Sequence, residues 1–134
     1  MLRLLAFRTR NGRVPFSEWM QDLKRKDEHA YVRCKERVDS LQALGHRLRR
    51  PHADTLRDGI HELRANLGRA RYRILYFFSG TEAVVLSHAI IKKSGRVPDR
   101  EIQRAVRRRK EYLADPETHS TEVDSDWVRP EQWT

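Results

Sequence analysis

The sequence predicts an α+β domain with the element order β-α-α-β-β-β-α, two N-terminal helices packed on one face of an antiparallel sheet and a further helix at the C-terminal end. Three observations lead there. Apolar residues recur at helical spacing over two neighbouring stretches, three β-type apolar runs follow on short connections, and helical spacing resumes after a Gly and Pro break. With 134 residues, one core of this kind fits and two do not.

Residues 2–8 are short, apolar and bounded by Asn11-Gly12, which marks a first strand followed by a turn. Pro15 suits the opening of a helix, and Phe16, Trp19, Met20 and Leu23 fall at i, i+3, i+4 and i+7 with polar residues between them. A second stripe of Tyr31, Cys34, Val38, Leu41 and Leu44 predicts a helix over 27–44, with Gly45 at its C-terminal cap. The basic stretch 46–59, broken by Pro51 and Gly59, reads as a loop with at most a short helical turn.

Residues 60–67, 71–78 and 83–92 are separated by Gly68-Arg69-Ala70 and Ser79-Gly80-Thr81-Glu82, so they predict an antiparallel meander. Gly95 and Pro98 end the last strand, and Ile102, Ala105, Val106 and Leu113 place a helix over 99–113 with Asp99 and Glu101 in its first turn. In this arrangement helices cover one sheet face and leave the other accessible to a ligand.

Charge is the strongest compositional signal. Residues 1–114, the predicted domain, hold 27 Lys and Arg against 13 Asp and Glu, a net of +14, while the tail 115–134 holds one Arg against six acids, a net of −5. A body this basic attracts polyanions, and nucleic acid is the commonest such partner in the cytoplasm. A membrane partner is not expected, since no basic helix carries a broad apolar face with Trp or Phe anchors and no apolar run is long enough to span. Residues 1–7 are also too short for the apolar region of a secretory signal. Cys34, the single cysteine, excludes an intramolecular disulfide and fits a reducing compartment; with no activating charges patterned around it, it reads as a small apolar helix residue.

The familiar site templates are absent: no Gly-rich phosphate loop, no His-x-x-x-His pair, no Gly-x-Ser-x-Gly and no acidic cluster for magnesium. His29, His46, His52, His61, His88 and His119 are scattered, so neither a metal nor another cofactor is expected. What remains are cations on strands. Period two puts Arg71 with Arg73 and His88 with Lys92, while Arg64 projects from the first strand of the meander. Cations and an imidazole on an open sheet face suit attack of a ribose 2′-hydroxyl on its own 3′ phosphate, which needs a base, a charge stabiliser and an acid. Clustered positive charge lowers a lysine or histidine pKa toward neutrality, while arginines stay charged and fork onto phosphate. The plainer reading of the same residues is a solvated basic face, with Arg64 paired to a carboxylate such as Glu62, Tyr72 and Tyr76 in the core, and His88 bonded within the sheet. Arg107 to Lys110 wrap most of a helical turn instead of forming one stripe, which suits a solvated helix end, RNA contact, or both.

In combination, Gly59-Ile60-His61-Glu62-Leu63-Arg64, Arg71-Tyr72-Arg73-Ile74-Leu75-Tyr76-Phe77, and Leu86-Ser87-His88-Ala89-Ile90-Ile91-Lys92-Lys93-Ser94 with Pro98 and Glu101-Ile102 resemble the phage-derived HigB-like branch of the RelE/ParE toxins. The resemblance spans roughly residues 1–114, including the opening at Pro15; Ile90 stands where that family usually has an aromatic, which weakens base stacking there. It implies a RelE-like fold and a cytoplasmic toxin of a type II toxin-antitoxin system: an endoribonuclease cutting mRNA on the ribosome, held by an antitoxin, often one with a helix-turn-helix DNA-binding domain. Carried onto this chain, Arg64 and Arg73 hold or stabilise the phosphate, Lys92 with Lys93 supplies binding and proton transfer, and His88 is a candidate acid or base. Arg71, Tyr72, Tyr76 and Arg96 are further candidates for holding RNA. Two rival readings stand beside it: a gyrase-poisoning member of the same superfamily, and a basic nucleic-acid-binding module without activity. For the tail there are also two, a disordered or partner-binding extension, or a segment whose Trp127 and Trp133 fold over the basic site.

Overall fold

The computed structural model describes residues 1–92 and 95–123. The chain runs β1 (Arg3–Phe7), α1 (Pro15–Lys26), α2 (Glu28–Leu44), a 3-10 turn (Gly45–Arg47), β2 (Ala53–Arg57), β3 (Ile60–Leu67), β4 (Ala70–Ser79), β5 (Ala83–Lys92), α3 (Asp99–Ala114) and β6 (Ser120–Glu122). The expected α+β order is present, with β2 and β6 added to it. β2 occupies part of 46–59, where the sequence predicts a loop: polar residues form an edge strand there because β3 offers a partner. Asp58 and Gly59, both at positive φ (53° and 79°), turn the chain from β2 into β3, the backbone a two-residue hairpin turn demands.

The strands form one sheet in the order β2-β3-β4-β5-β1-β6. All neighbours are antiparallel except β1 and β5, which run parallel. Tail residues reach the far edge: β6 pairs with β1, the buried His119 ring stacks on Phe7 with centroids 5.3 Å apart, and its Nδ1 lies 2.9 Å from the Arg8 carbonyl oxygen. The Trp127 and Trp133 reading lies outside the described residues.

Local chemistry sets the helix ends. Pro15 opens α1, and Lys24, Arg25 and Lys26 sit in its last turn, favourable beside the negative end of the helix dipole. The Asp27 carboxylate accepts a 3.1 Å hydrogen bond from the Ala30 N–H and so caps α2. At the other end, Gly45 has φ +55°, a backbone that favours glycine, while a Cβ there would meet Leu2 Cδ1 at 2.8 Å, the end of a side chain that can shift. Cys34 is fully buried in α2, and that burial pushes its thiol up to about 12, so it stays protonated and inert.

Each sheet face carries a core. Toward α1 and α2 point Leu4, Ala6, Leu63, Ile74, Tyr76 and Leu86, packed against Phe16, Met20, Cys34 and Leu41. On the other face Leu5, Phe7, Leu75, Phe77 and Val85 pack against Ile102, Ala105 and Tyr112 of α3. The second face is therefore only half open, because α3 packs over the start of β3, the later half of β4 and the first half of β5. Each large apolar side chain buried in these layers contributes roughly 1.5–3 kcal/mol.

One irregularity decides which β5 residues face that open half. Leu75 pairs with His88 but Tyr76 with Leu86, so Ser87 is an extra residue in the ladder. A bulge of this kind reverses the alternation beyond it. Val85 faces α3, and past the bulge His88, Ile90 and Lys92 face the same side.

Gly45→Ala is expected to lower the unfolding free energy by about 1–3 kcal/mol, read from the urea midpoint. Gly12→Ala, at φ +92° but with nothing within 4 Å of a Cβ, lacks the steric part and is expected to cost less.

Candidate active site

The registers of β3, β4 and β5 assemble a grid on the half-open face. One row is Glu62, Leu75 and His88; the next is Arg64, Arg73 and Ile90; the third is Asn66, Arg71 and Lys92. Arg64, Arg71, Arg73 and Lys92 thus come together from three strands, with Lys92 brought to this face by the extra residue Ser87. β2 adds Asp54 beside Glu62.

The cations are held by a small acidic frame. Glu62, 6% exposed, lies between two guanidinium groups: its Oε1 is 3.2 Å from Arg73 Nε and its Oε2 3.1 Å from Arg64 Nη2. Arg73 Nη1 also donates to Asn66 Oδ1 (3.2 Å) and the Tyr72 carbonyl (2.9 Å). Asp54 Oδ2 accepts from both Arg64 Nη2 (3.3 Å) and Arg50 Nη2 (2.7 Å), and its carboxyl is held low, first by the Arg50 hydrogen bond. Five cations, Arg50, Arg64, Arg71, Arg73 and Lys92, therefore share two carboxylates, and positive charge is left over for a polyanion.

Lys92 is the titratable member of the group. Its side chain is 9% exposed and its ammonium donates to the Gly95 carbonyl. Burial, then the Arg73 charge, pulls its pKa below the ordinary lysine value, with Arg71 and Arg64 adding to the pull and Glu62 opposing it. Arg73, 7% exposed, is lowered by burial first, but a guanidinium remains charged throughout the working range.

Other predicted site residues lie elsewhere. His88 is 5% exposed beneath the start of α3: its Nε2 is 3.0 Å from Glu101 Oε1 and its Nδ1 2.8 Å from Ser87 Oγ. A neutral ring donating from Nε2 and accepting at Nδ1 satisfies both partners. Burial, then the Arg108 charge, pushes its pKa down to about 4. Tyr72 and Tyr76 point to the opposite face, into the α1 and α2 core, away from Arg73 and Lys92. Arg96 is exposed on the loop after β5, and Lys93 is outside the described residues. Within the basic helical run, Arg108 is half-buried over the Phe7 ring (5.3 Å) and donates to the Ser87 carbonyl (3.3 Å). Among the described residues no three His, Cys, Asp or Glu side chains converge as a metal site would need.

Sequence reasoning found the Arg64 to Glu62 pair but missed Arg50, Asp54 and Asn66. The available signal was Asp58-Gly59, which places a strand before β3 and hence Asp54 across from Glu62. Glu101 was credited only with a helix-start role, and its hydrogen bond to His88 has no local sequence signature.

A family model for the phage-derived Gp49-like proteins (DUF891) matches residues 18–110, from α1 through most of α3 and including the whole grid. The chain belongs to that family, a RelE-like toxin family. None of the curated proteins matches the chain.

Because the folded His88 value lies below the ordinary 6.5, the unfolded chain takes up this proton first as pH falls. Its contribution to stability is complete above about pH 6.5 and declines toward pH 4, by up to about 3 kcal/mol. Urea unfolding at pH 7 and 4.5 is expected to show a smaller acid loss in His88→Asn than in wild type; parallel losses would refute the assignment.

Proposed function

We propose that this protein is an endoribonuclease toxin of the HigB-like type that cuts mRNA on the ribosome, belongs to a type II toxin-antitoxin pair and acts in the cytoplasm. The observation that carries the reading is the convergence of Arg64, Arg71, Arg73 and Lys92 on one half-open sheet face, with Lys92 the one amine among guanidinium groups and its pKa lowered by burial and then by the Arg73 charge. Absence of any helix long and apolar enough to cross a membrane among the described residues is compatible with it.

In this mechanism Arg73 and Arg64, anchored by Glu62, present guanidinium N–H groups to the non-bridging oxygens of the scissile phosphate. Neutral Lys92 takes the proton from the ribose 2′-hydroxyl, and the 2′-oxygen attacks phosphorus. The bond to the 5′-oxygen breaks, leaving a 2′,3′-cyclic phosphate on one fragment and a 5′-hydroxyl, protonated from water, on the other. Arg71, exposed beside Lys92 in the third row, binds the adjoining backbone. His88 plays no part in proton transfer here, since α3 separates it from the open face. It acts as a brace between β5 and α3. An antitoxin is the expected partner, and one covering this face would neutralise the toxin directly.

Purified protein added to translating ribosomes is expected to create new 5′ ends in the message, detected by primer extension. Lys92→Ala is expected to slow cleavage by about 10²–10⁴-fold and Arg73→Ala by about 10²–10³-fold. Message left intact while supercoiling by gyrase stops would transfer the assignment to the gyrase-poisoning reading. Intact message with salt-sensitive RNA binding would leave a binding module.

The pH profile tests the role of Lys92 separately. A base acts when neutral, so cleavage should rise with pH until it levels off at a pKa below the ordinary lysine value. In Lys92→Arg that limb should be absent while RNA binding persists. A wild-type profile flat from pH 6 to 9.5 would remove Lys92 from the base role.

A further inference from the structure

On the other side of the sheet, where α2 ends, lies a cavity of about 560 Å³ between the Gly45–Arg47 turn and the outer strands β2, β3 and β4. Its lining includes His46, His61, Phe78, Arg49, Arg50 and Asp54. The volume falls within the few-hundred to 1,000 Å³ range of small-ligand sites.

The aromatic members form a set of stacked planes. His46, an exposed residue, lies flat on Phe78 with centroids 3.6 Å apart and planes 23° from parallel. His61 stands edge-on to Phe78 at 5.3 Å and stacks on Tyr76 at 5.2 Å. Its Nδ1 lies 3.2 Å from Thr55 Oγ1, which orients the ring, and burial, then His46, lowers its pKa. Two imidazoles stacked on aromatic rings offer π surface together with ring nitrogens for hydrogen bonds. Arg49 and Arg50, both exposed, supply positive charge at the same cavity. Flat π surface, ring donors and acceptors, and guanidinium groups together match one unpaired nucleotide, its base stacked and its phosphate paired.

We propose that this cavity is a second RNA subsite, which takes a single unpaired nucleotide from the strand engaged by the basic grid. The proposal deepens the nuclease reading and rests on it. Position links the two sites: β2 is the outer strand of the sheet, and Asp54 lines the cavity while its Oδ2 accepts from Arg50 on one side and from Arg64 of the grid on the other. An RNA strand leaving the grid past Arg64 meets Arg50 at the sheet edge and the ring cluster just beyond it. The interaction is with the base as a flat surface, so the subsite selects unpaired over paired RNA more than one sequence over another.

The test is an NMR titration of the full chain with 5′-AMP, 5′-UMP and ribose 5-phosphate, following the histidine ring signals. Both nucleotides are expected to shift His46 and His61, and ribose 5-phosphate to bind at least tenfold more weakly. His46→Ala, which removes an exposed ring, should weaken nucleotide binding about tenfold, and the Arg73→Ala/Lys92→Ala double variant should leave it unchanged. Equal binding of ribose 5-phosphate, or equal loss in both variants, would mean general anion attraction and overturn the proposal. Message cleavage on ribosomes without nucleotide binding would sink the subsite alone. Nucleotide binding that meets these criteria with uncut message would sink the nuclease reading and leave the cavity as a nucleotide site.

Discussion

A buried carboxylate between two guanidinium groups is the interaction on which the basic face depends. Arg64 and Arg73 are cross-strand neighbours in β3 and β4, and like charges opposite one another in a sheet repel. Glu62 supplies the compensating attraction to both, from the adjacent row and largely out of water. Its two oxygens also aim the guanidinium groups, so the acid that keeps the cluster together organises it for phosphate.

The half-cover provided by α3 divides the second sheet face into a structural part and an exposed part. Under the helix, the row containing His88 becomes part of the fold: Ser87, His88 and Glu101 form a hydrogen-bonded chain in which the ring is neutral and braced. Beyond the helix, the rows containing Arg73 and Lys92 bury those two cations beside the more exposed Arg64 and Arg71. His88 and Lys92, four positions apart on β5, thus differ in surroundings, one lying under a helix against Glu101 and the other among arginines. Burial is the first cause lowering both, joined by the Arg108 charge at His88 and by the Arg73 charge at Lys92.

Much of the domain was legible because it depends on short-range periodicity. The stripe of Phe16, Met20 and Leu23, the cap at Gly45 and the three meander strands are all recorded in neighbouring residues. β2 was hidden by its polar composition, since Ala53–Arg57 has little apolar character and lies at the sheet edge. β6 was hidden likewise: three polar residues become a strand only because β1 offers a free edge and His119 has Phe7 to stack on.

The sequence by itself determined the helices and the meander strands, the excess positive charge and which cations share a face within one strand, because helical and strand periods are recorded in neighbouring residues. Tertiary structure decided which of the other candidates could join them. It turned Tyr72 and Tyr76 into core, placed His88 beneath α3, brought Asp54 to Arg64, and through the extra residue Ser87 set Lys92 on the face of Arg73. The physical reason is that face and burial depend on register and on which helix covers which half of the sheet. Both are settled by the packing of distant segments, and no window of neighbouring residues contains them.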